Sequence, residues 1–211
     1  MAASWSNRVK FALAGEILEA ANPLLPGHPH RRVVDLVADS GSSPRVLELC
    51  AGTGYASRLL ARLRPDSSIV GIDVSPEMIS VGRKKLRAQR VSNVDLQVGD
   101  IAALPFDDNS FDAVMAVFGL HEVPEPARSA GIAESMRLLR PGGVFATVDL
   151  DRPPPPAGLL SDVYLAVMEP QHAKDVCGDG LSRMLTAAGF DVTYHRGARG
   201  LGMAQTVLAT S

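Results

Sequence analysis

Short apolar runs recur along the chain, with amphipathic stretches between them. Val46, Leu47 and Leu49 form the first run, Ile69, Val70 and Ile72 the second, and residues 93–98, 112–117 and 144–150 supply three more. The first two runs suit strands covered on both faces, so buried strands are predicted over 46–49 and 68–73, and further strands over 93–98, 112–117 and 144–150. The stretches between carry helical spacing. One helix is predicted over 55–64, and a second from Ser75-Pro76-Glu77, read as N-cap, N1 proline and first-turn acid, to about Gln89. A third spans 128–139 and is stopped by Arg140-Pro141-Gly142-Gly143.

The two ends of the chain depart from this alternation. Before the first strand, Phe11, Leu13, Ile17 and Leu18 mark an amphipathic helix over 9–20, ended by Asn22-Pro23, and a second helix covers 32–38. Helices that precede the first strand must lie on the sheet edge or over its carboxyl end. After the fifth strand comes the proline run Pro153 to Pro156, extended and stiff, then a helix carrying Tyr164, Leu165, Val167 and Met168 and ended by Pro170. A further helix over 181–188 stops at Gly189. Strands over 190–195 and 205–209, joined by a glycine-rich connection over 197–202, have no helix between them and should pair antiparallel. The fold class is therefore α/β: a Rossmann-like doubly wound, mostly parallel seven-stranded sheet with a C-terminal antiparallel hairpin and N-terminal helices.

Composition narrows the function. With 211 residues and no shift in composition, one domain over 1–211 is expected. The formal net charge of -2 gives no electrostatic reason to expect nucleic acid as a partner, and the cluster Arg83-Lys84-Lys85-Leu86-Arg87 reads as the wet face of a helix. No stretch has the apolar core of a signal peptide or the uncharged length of a membrane span, so a cytoplasmic location is expected. Cys50 and Cys177 are the only cysteines, and the 5 histidines are dispersed, so neither a disulfide framework nor a metal site is expected.

The candidate chemistry sits at the strand ends. Glu48-Leu49-Cys50-Ala51-Gly52-Thr53-Gly54 reads as a strand running into a glycine turn and then a helix N-terminus, an arrangement that brings backbone close to a ligand. Asp73 closes the second strand 19 residues after Gly54 (73 − 54), where an acid can hydrogen-bond a ribose lying across that turn. Gly99-Asp100-Ile101 closes the third strand. His121 falls in the loop after the fourth, where substrate should meet cofactor, and a histidine there is either a proton acceptor or a pocket-lining group. Glu122 beside it could orient the ring or face solvent.

Four signals in this order resemble the class I S-adenosylmethionine-dependent methyltransferases: the Glu48 to Gly54 stretch, the strand-end Asp73, Gly99-Asp100-Ile101 with Leu104-Pro105-Phe106, and Leu138-Leu139-Arg140-Pro141-Gly142-Gly143. Val117-Phe118-Gly119-Leu120-His121-Glu122-Val123 is most similar to the ubiquinone and menaquinone C-methyltransferases. The resemblance implies S-adenosyl-L-methionine as cofactor and S-adenosyl-L-homocysteine as its product. It divides the chain into a helical cap over 1–44, a cofactor-binding core over 45–150, and substrate-side helices with a closing hairpin over 151–211. The implied roles are the cofactor's ammonium for Glu48, backbone beneath its methionine part for Ala51, Gly52, Thr53 and Gly54, and the ribose hydroxyls for Asp73. Val74, Met78 and Ile101 would address the adenine and Asp100 its exocyclic amine. Phe118 completes the cofactor set, and with Leu120, Phe11 and Leu13 it could furnish an apolar acceptor pocket.

A sulfonium donor carries its own activation, so the enzyme mainly positions the nucleophile, with His121 as base where the acceptor must lose a proton. The expected partner is a small-molecule acceptor, and a homodimer is compatible with the sequence. The chain departs from the resemblance at Cys50, where those enzymes carry glycine, at His121, where they carry arginine, and in the shorter segment 171–180. Two other readings stay open: a nicotinamide-dependent oxidoreductase, suggested by Gly52-x-Gly54-x-x-Ser57, and a non-methylating protein that keeps the fold.

Overall fold

The computed structural model describes residues 27–152, 173–197 and 204–211. β1 (Arg45–Leu49) lies near the middle of a sheet whose other strands are β2 (Ser68–Asp73), β3 (Val94–Val98), β4 (Phe111–Val117), β5 (Leu139–Leu150), β6 (Asp191–Arg196) and β7 (Ala204–Thr210). They run in the order β3-β2-β1-β4-β5-β7-β6. β1 pairs parallel with β2 on one side and β4 on the other, so Leu47 stands opposite both Val70 and Val114. The order reverses at β1, which leaves the crevice between the carboxyl ends of β1 and β4 as the place for a ligand.

Alternation along the strands sends side chains into two separate cores. Val46, Ala113, Met115 and Val148 meet one helical layer, which includes Val33, Val34 and Val37 of α1 (Pro29–Ala38) and Leu60 of α2 (Tyr55–Leu63). Leu47, Leu49, Val114 and Phe145 meet the other, with Ile132 and Leu138 of α4 (Glu125–Leu138) and Leu181 and Leu185 of α6 (Gly180–Ala187). Full burial of each such Leu or Phe contributes about 1.5–3 kcal/mol, so both faces of the sheet are held. α3 (Pro76–Ala88) follows β2, and a single turn, α5 (Ala173–Val176), precedes α6.

Several boundaries differ from the expected ones for local reasons. α1 and α4 begin three residues early, at Pro29 and Glu125, because a proline suits the first helical turn, where its missing N–H is not needed. Arg140-Pro141-Gly142-Gly143 stops α4 but belongs to β5: Leu139 already pairs with Phe111, and the register shifts before Ala113 meets Val144. Gly142 has φ +77, and a Cβ at Gly143 would lie 2.8 Å from the Arg140 carbonyl oxygen, so this segment forms a bulge that only glycine fits. Ser75 caps α3 as expected, its Oγ accepting from the Met78 N–H at 3.2 Å. β6 and β7 are antiparallel, with Tyr194 opposite Leu208, and β7 is also antiparallel to β5. The helices expected over 9–20 and around Tyr164, and the run Pro153 to Pro156, lie outside the described residues. Among the described residues no helix is long and apolar enough to cross a membrane.

Candidate active site

The turn after β1 takes its shape from three residues with positive φ: Cys50 at 52°, Gly52 at 53° and Gly54 at 69°. A Cβ at Gly54 would lie 2.9 Å from Leu96, whereas a Cβ at Gly52 would meet nothing within 4 Å. Gly54 is therefore needed for packing, and Gly52 for its conformation and for the open space above it. The Gly52 N–H donates to Asp73 Oδ2 at 2.7 Å, while Asp73 Oδ1 accepts from the Ser75 N–H at 2.8 Å. Burial holds the Asp73 carboxyl above its ordinary pKa, and these two backbone bonds oppose the shift.

Glu48 is buried beneath the same turn. Its Oε2 accepts from the Ser57 N–H at 3.1 Å and from the Ser57 hydroxyl, which ties the end of β1 to the first turn of α2. Burial pushes its carboxyl up to about 7, against the Ser57 bonds and the nearby positive charge of Arg58. Arg58 is itself buried and donates to the Thr53 carbonyl at 2.5 Å, so it supports the turn from below.

The acids at the ends of β2 and β3 stand beside exposed apolar surface. Asp73 is the register partner of Val98, which is 51% exposed, and Val74 beside it is 69% exposed. Asp100 is exposed, its Oδ1 accepting from the Ala102 N–H at 2.9 Å; Ile101 is buried and Met78 half-buried. Adjacent exposed valines flanked by acids form a patch able to receive a flat, partly polar group such as a purine nucleoside.

β4 leads into the His121 loop. Phe118 takes φ 51 and donates its N–H to the Val148 carbonyl at 2.9 Å, and a 3₁₀ turn over Leu120–Glu122 follows. A Cβ at Gly119 would fall on the Cys50 side chain, so the glycine turn and the histidine turn touch at this point. Burial pushes the Cys50 thiol up, and the carboxylates of Asp73, Asp149, Glu122 and Glu48 add to the shift, which makes it an unreactive thiol among acids. His121 is 7% exposed and its Nδ1 lies 2.5 Å from Oδ1 of the fully buried Asp149, near the carboxyl end of β5. Asp149 Oδ2 accepts from the Leu120 and His121 N–H groups at 3.0 and 3.3 Å. Behind the turn, the wholly buried Arg128 donates to the carbonyls of Leu120 and Val123, both at 3.3 Å, and to Asp175 at 3.0 Å.

Sequence reasoning did not single out Asp149, Arg128 or His30. Asp149 carried the signal used for Asp73, an acid closing a buried apolar run. Arg128 reads in sequence only as the start of a helix. His30, at the start of α1, meets the rings of Tyr55 and Phe118 with centroids 5.0 and 5.7 Å away. Val33, Val34 and Val37 nevertheless pack α1 on the face of the sheet and not on its edge or over its carboxyl end as expected, because its apolar side covers Val46, Met115 and Val148. A separate open groove of about 620 Å³ lies between α4 and α6 and is lined by Glu125, Ser129, Asp175 and Arg183 among others, none of them from the glycine turn. Among the described residues no group of three or more His, Cys, Asp or Glu is arranged to hold a metal ion.

The chemistry of the strand ends is that of a nucleoside site. Glu48, Asp73 and Asp100 are acids suited to an amino group, ribose hydroxyls and an exocyclic amine, and Gly52 leaves room for the backbone to be approached. A profile described as a methyltransferase domain matches residues 46–143. The solved structure of a SAM-dependent methyltransferase from Aquifex aeolicus superposes with a TM-score of 0.73, covering 94% of this chain and 97% of that one at 19% identity, a likeness of fold. The matching profile and the relatives at 33% identity or more make this a class I S-adenosylmethionine-dependent methyltransferase, and the fold agrees.

Relatives narrow the class. The demethylmenaquinone methyltransferase of Clavibacter sepedonicus is 35% identical over 171 residues, covering 72% of this chain and 67% of that protein. The ubiquinone/menaquinone biosynthesis C-methyltransferase of Pseudomonas paraeruginosa is 33% identical over 207 residues, covering 85% and 79%. The chain belongs to the ubiquinone/menaquinone C-methyltransferase family.

Proposed function

We propose that this enzyme methylates a small, apolar, hydroxylated aromatic acceptor of the quinol type, with His121 as the proton acceptor. The observation that carries the reading is the contact of Gly119 with Cys50, which sets the histidine turn against the open glycine turn. Bound S-adenosylmethionine would supply an electrophilic methyl group. Around it, Glu48 would face the ammonium, and Ala51, Gly52, Thr53 and Gly54 would present backbone to the methionine part. Asp73 would accept from the ribose hydroxyls. Val74, Met78 and Ile101 would pack on the adenine, with Asp100 accepting from its amine, and Phe118 would stand next to the acceptor.

The names of the relatives support a quinone-like acceptor, and the acidic net charge supports a small molecule over nucleic acid. A cytoplasmic location belongs to the same proposal. Calorimetric titration with S-adenosylmethionine tests the cofactor, and turnover with a demethylated naphthoquinol or benzoquinol tests the acceptor. Micromolar binding and a C-methylated product are expected; absence of heat with the cofactor would sink the reading.

A further inference from the structure

We infer that Asp149 is the positioning residue for His121, holding the ring with its Nδ1 as donor so that Nε2 is left to take the acceptor's proton. The inference rests on the reaction proposed above, but the contact that carries it belongs to the protein alone. Four groups meet the two oxygens of this wholly buried carboxylate: the N–H groups of Leu120, His121 and Leu150 at 3.0, 3.3 and 2.7 Å, and His121 Nδ1 at 2.5 Å. The three backbone partners can only donate. A carboxylate accepts and does not donate, so Nδ1 carries the proton and Nε2 bears the lone pair. The turn is held twice, by Asp149 through its N–H groups and by Arg128 through its carbonyls, so the imidazole has a fixed seat.

The arrangement also supplies the charge that the reaction needs. As the acceptor forms its new bond to the methyl carbon, the carbon–sulfur bond breaks with its pair left on sulfur, and the acceptor's proton passes to Nε2. The imidazolium so formed lies against the buried carboxylate, which offsets its charge where water cannot. Among the described residues, Glu122 Oε1 lies 3.9 Å from Nε2, and Cys50 of the glycine turn and Arg128, paired with Asp175, are further titratable or charged groups around this turn. Their signs are mixed, and Asp149 makes the shortest contact.

The test is nitrogen NMR of imidazole-labelled protein without any ligand, together with steady-state kinetics, on the wild type and Asp149→Asn. The expected wild type shows neutral His121 as the Nδ1–H tautomer, and D149N lowers its titration midpoint. With acceptor, D149N is expected to lower kcat by about 100-fold or more, with little change in cofactor affinity and an altered pH profile. An Nε2–H tautomer in the wild type overturns the inference, as does an unchanged midpoint in D149N; the wild-type spectrum decides even if D149N does not fold. A wild type with the Nδ1–H tautomer and no turnover on any acceptor upholds the pairing and overturns the reaction instead.

Discussion

The Gly52 N–H lies 2.7 Å from Asp73 Oδ2, so the acid that closes β2 also holds the turn that follows β1. A residue expected to touch a ribose is thus already part of the turn beneath it. Asp73→Asn is expected to weaken S-adenosylmethionine binding by about 10- to 100-fold, the range for losing a hydrogen bond to a charged group. Calorimetry would read it; affinity within twofold of wild type would remove Asp73 from the site.

Glu48 should make both stability and cofactor affinity depend on pH. Its pKa in the folded protein is about 7, against an ordinary 4.5, so the folded state holds this proton more tightly than the unfolded one. The stability it contributes is full below about pH 4.5 and is lost as the pH rises through 7. Glu48→Gln cannot ionise, so its melting temperature should gain on wild type between pH 5 and pH 8. An ammonium ligand favours the ionised carboxylate, so wild-type affinity should climb over pH 6 to 8 and that climb should vanish in E48Q. A constant gap in melting temperature would rule out the burial argument.

Gly119 and Cys50 should behave as a coupled pair. Gly119→Ala places a methyl on the Cys50 side chain and is expected to cost about 1–3 kcal/mol by overpacking. Cys50→Gly removes the obstruction and relieves a left-handed residue worth about 1–2 kcal/mol of strain. Thermal unfolding of the double variant should therefore recover most of the loss, and strict additivity would show that the two turns do not touch in solution.

His121→Ala should separate binding from chemistry. The expected result is a fall in kcat of about 100-fold or more with cofactor affinity retained, because the side chain is seated on Asp149, which is not among the residues proposed to hold the cofactor. Unchanged turnover on a quinol acceptor would leave His121 as a lining residue.

The central parallel strands were legible because they are apolar on both faces, a pattern that survives in sequence without knowledge of partners, whereas β3 at the sheet edge alternates, with Val94 and Leu96 buried and Asp95 exposed. Asp73 and the glycine turn were legible for a related reason: chain geometry fixes their separation once the strand order is known. Asp149 was not, because its role is created by a contact with His121, 28 residues away in the chain, that only the pairing of β4 with β5 brings about. The bulge at Gly142 and Gly143 read as a simple stop because its pairing with β4 is equally non-local.

β7 is the last of the described strands in chain order, yet it occupies an interior place, between β5 and β6. The sheet is therefore closed only by residues 204–210, which pair with both β5 and β6. Without them β5 would keep an open edge and β6 would have no partner among the described strands, so a truncation before residue 204 exposes pairing edges and is expected to promote aggregation.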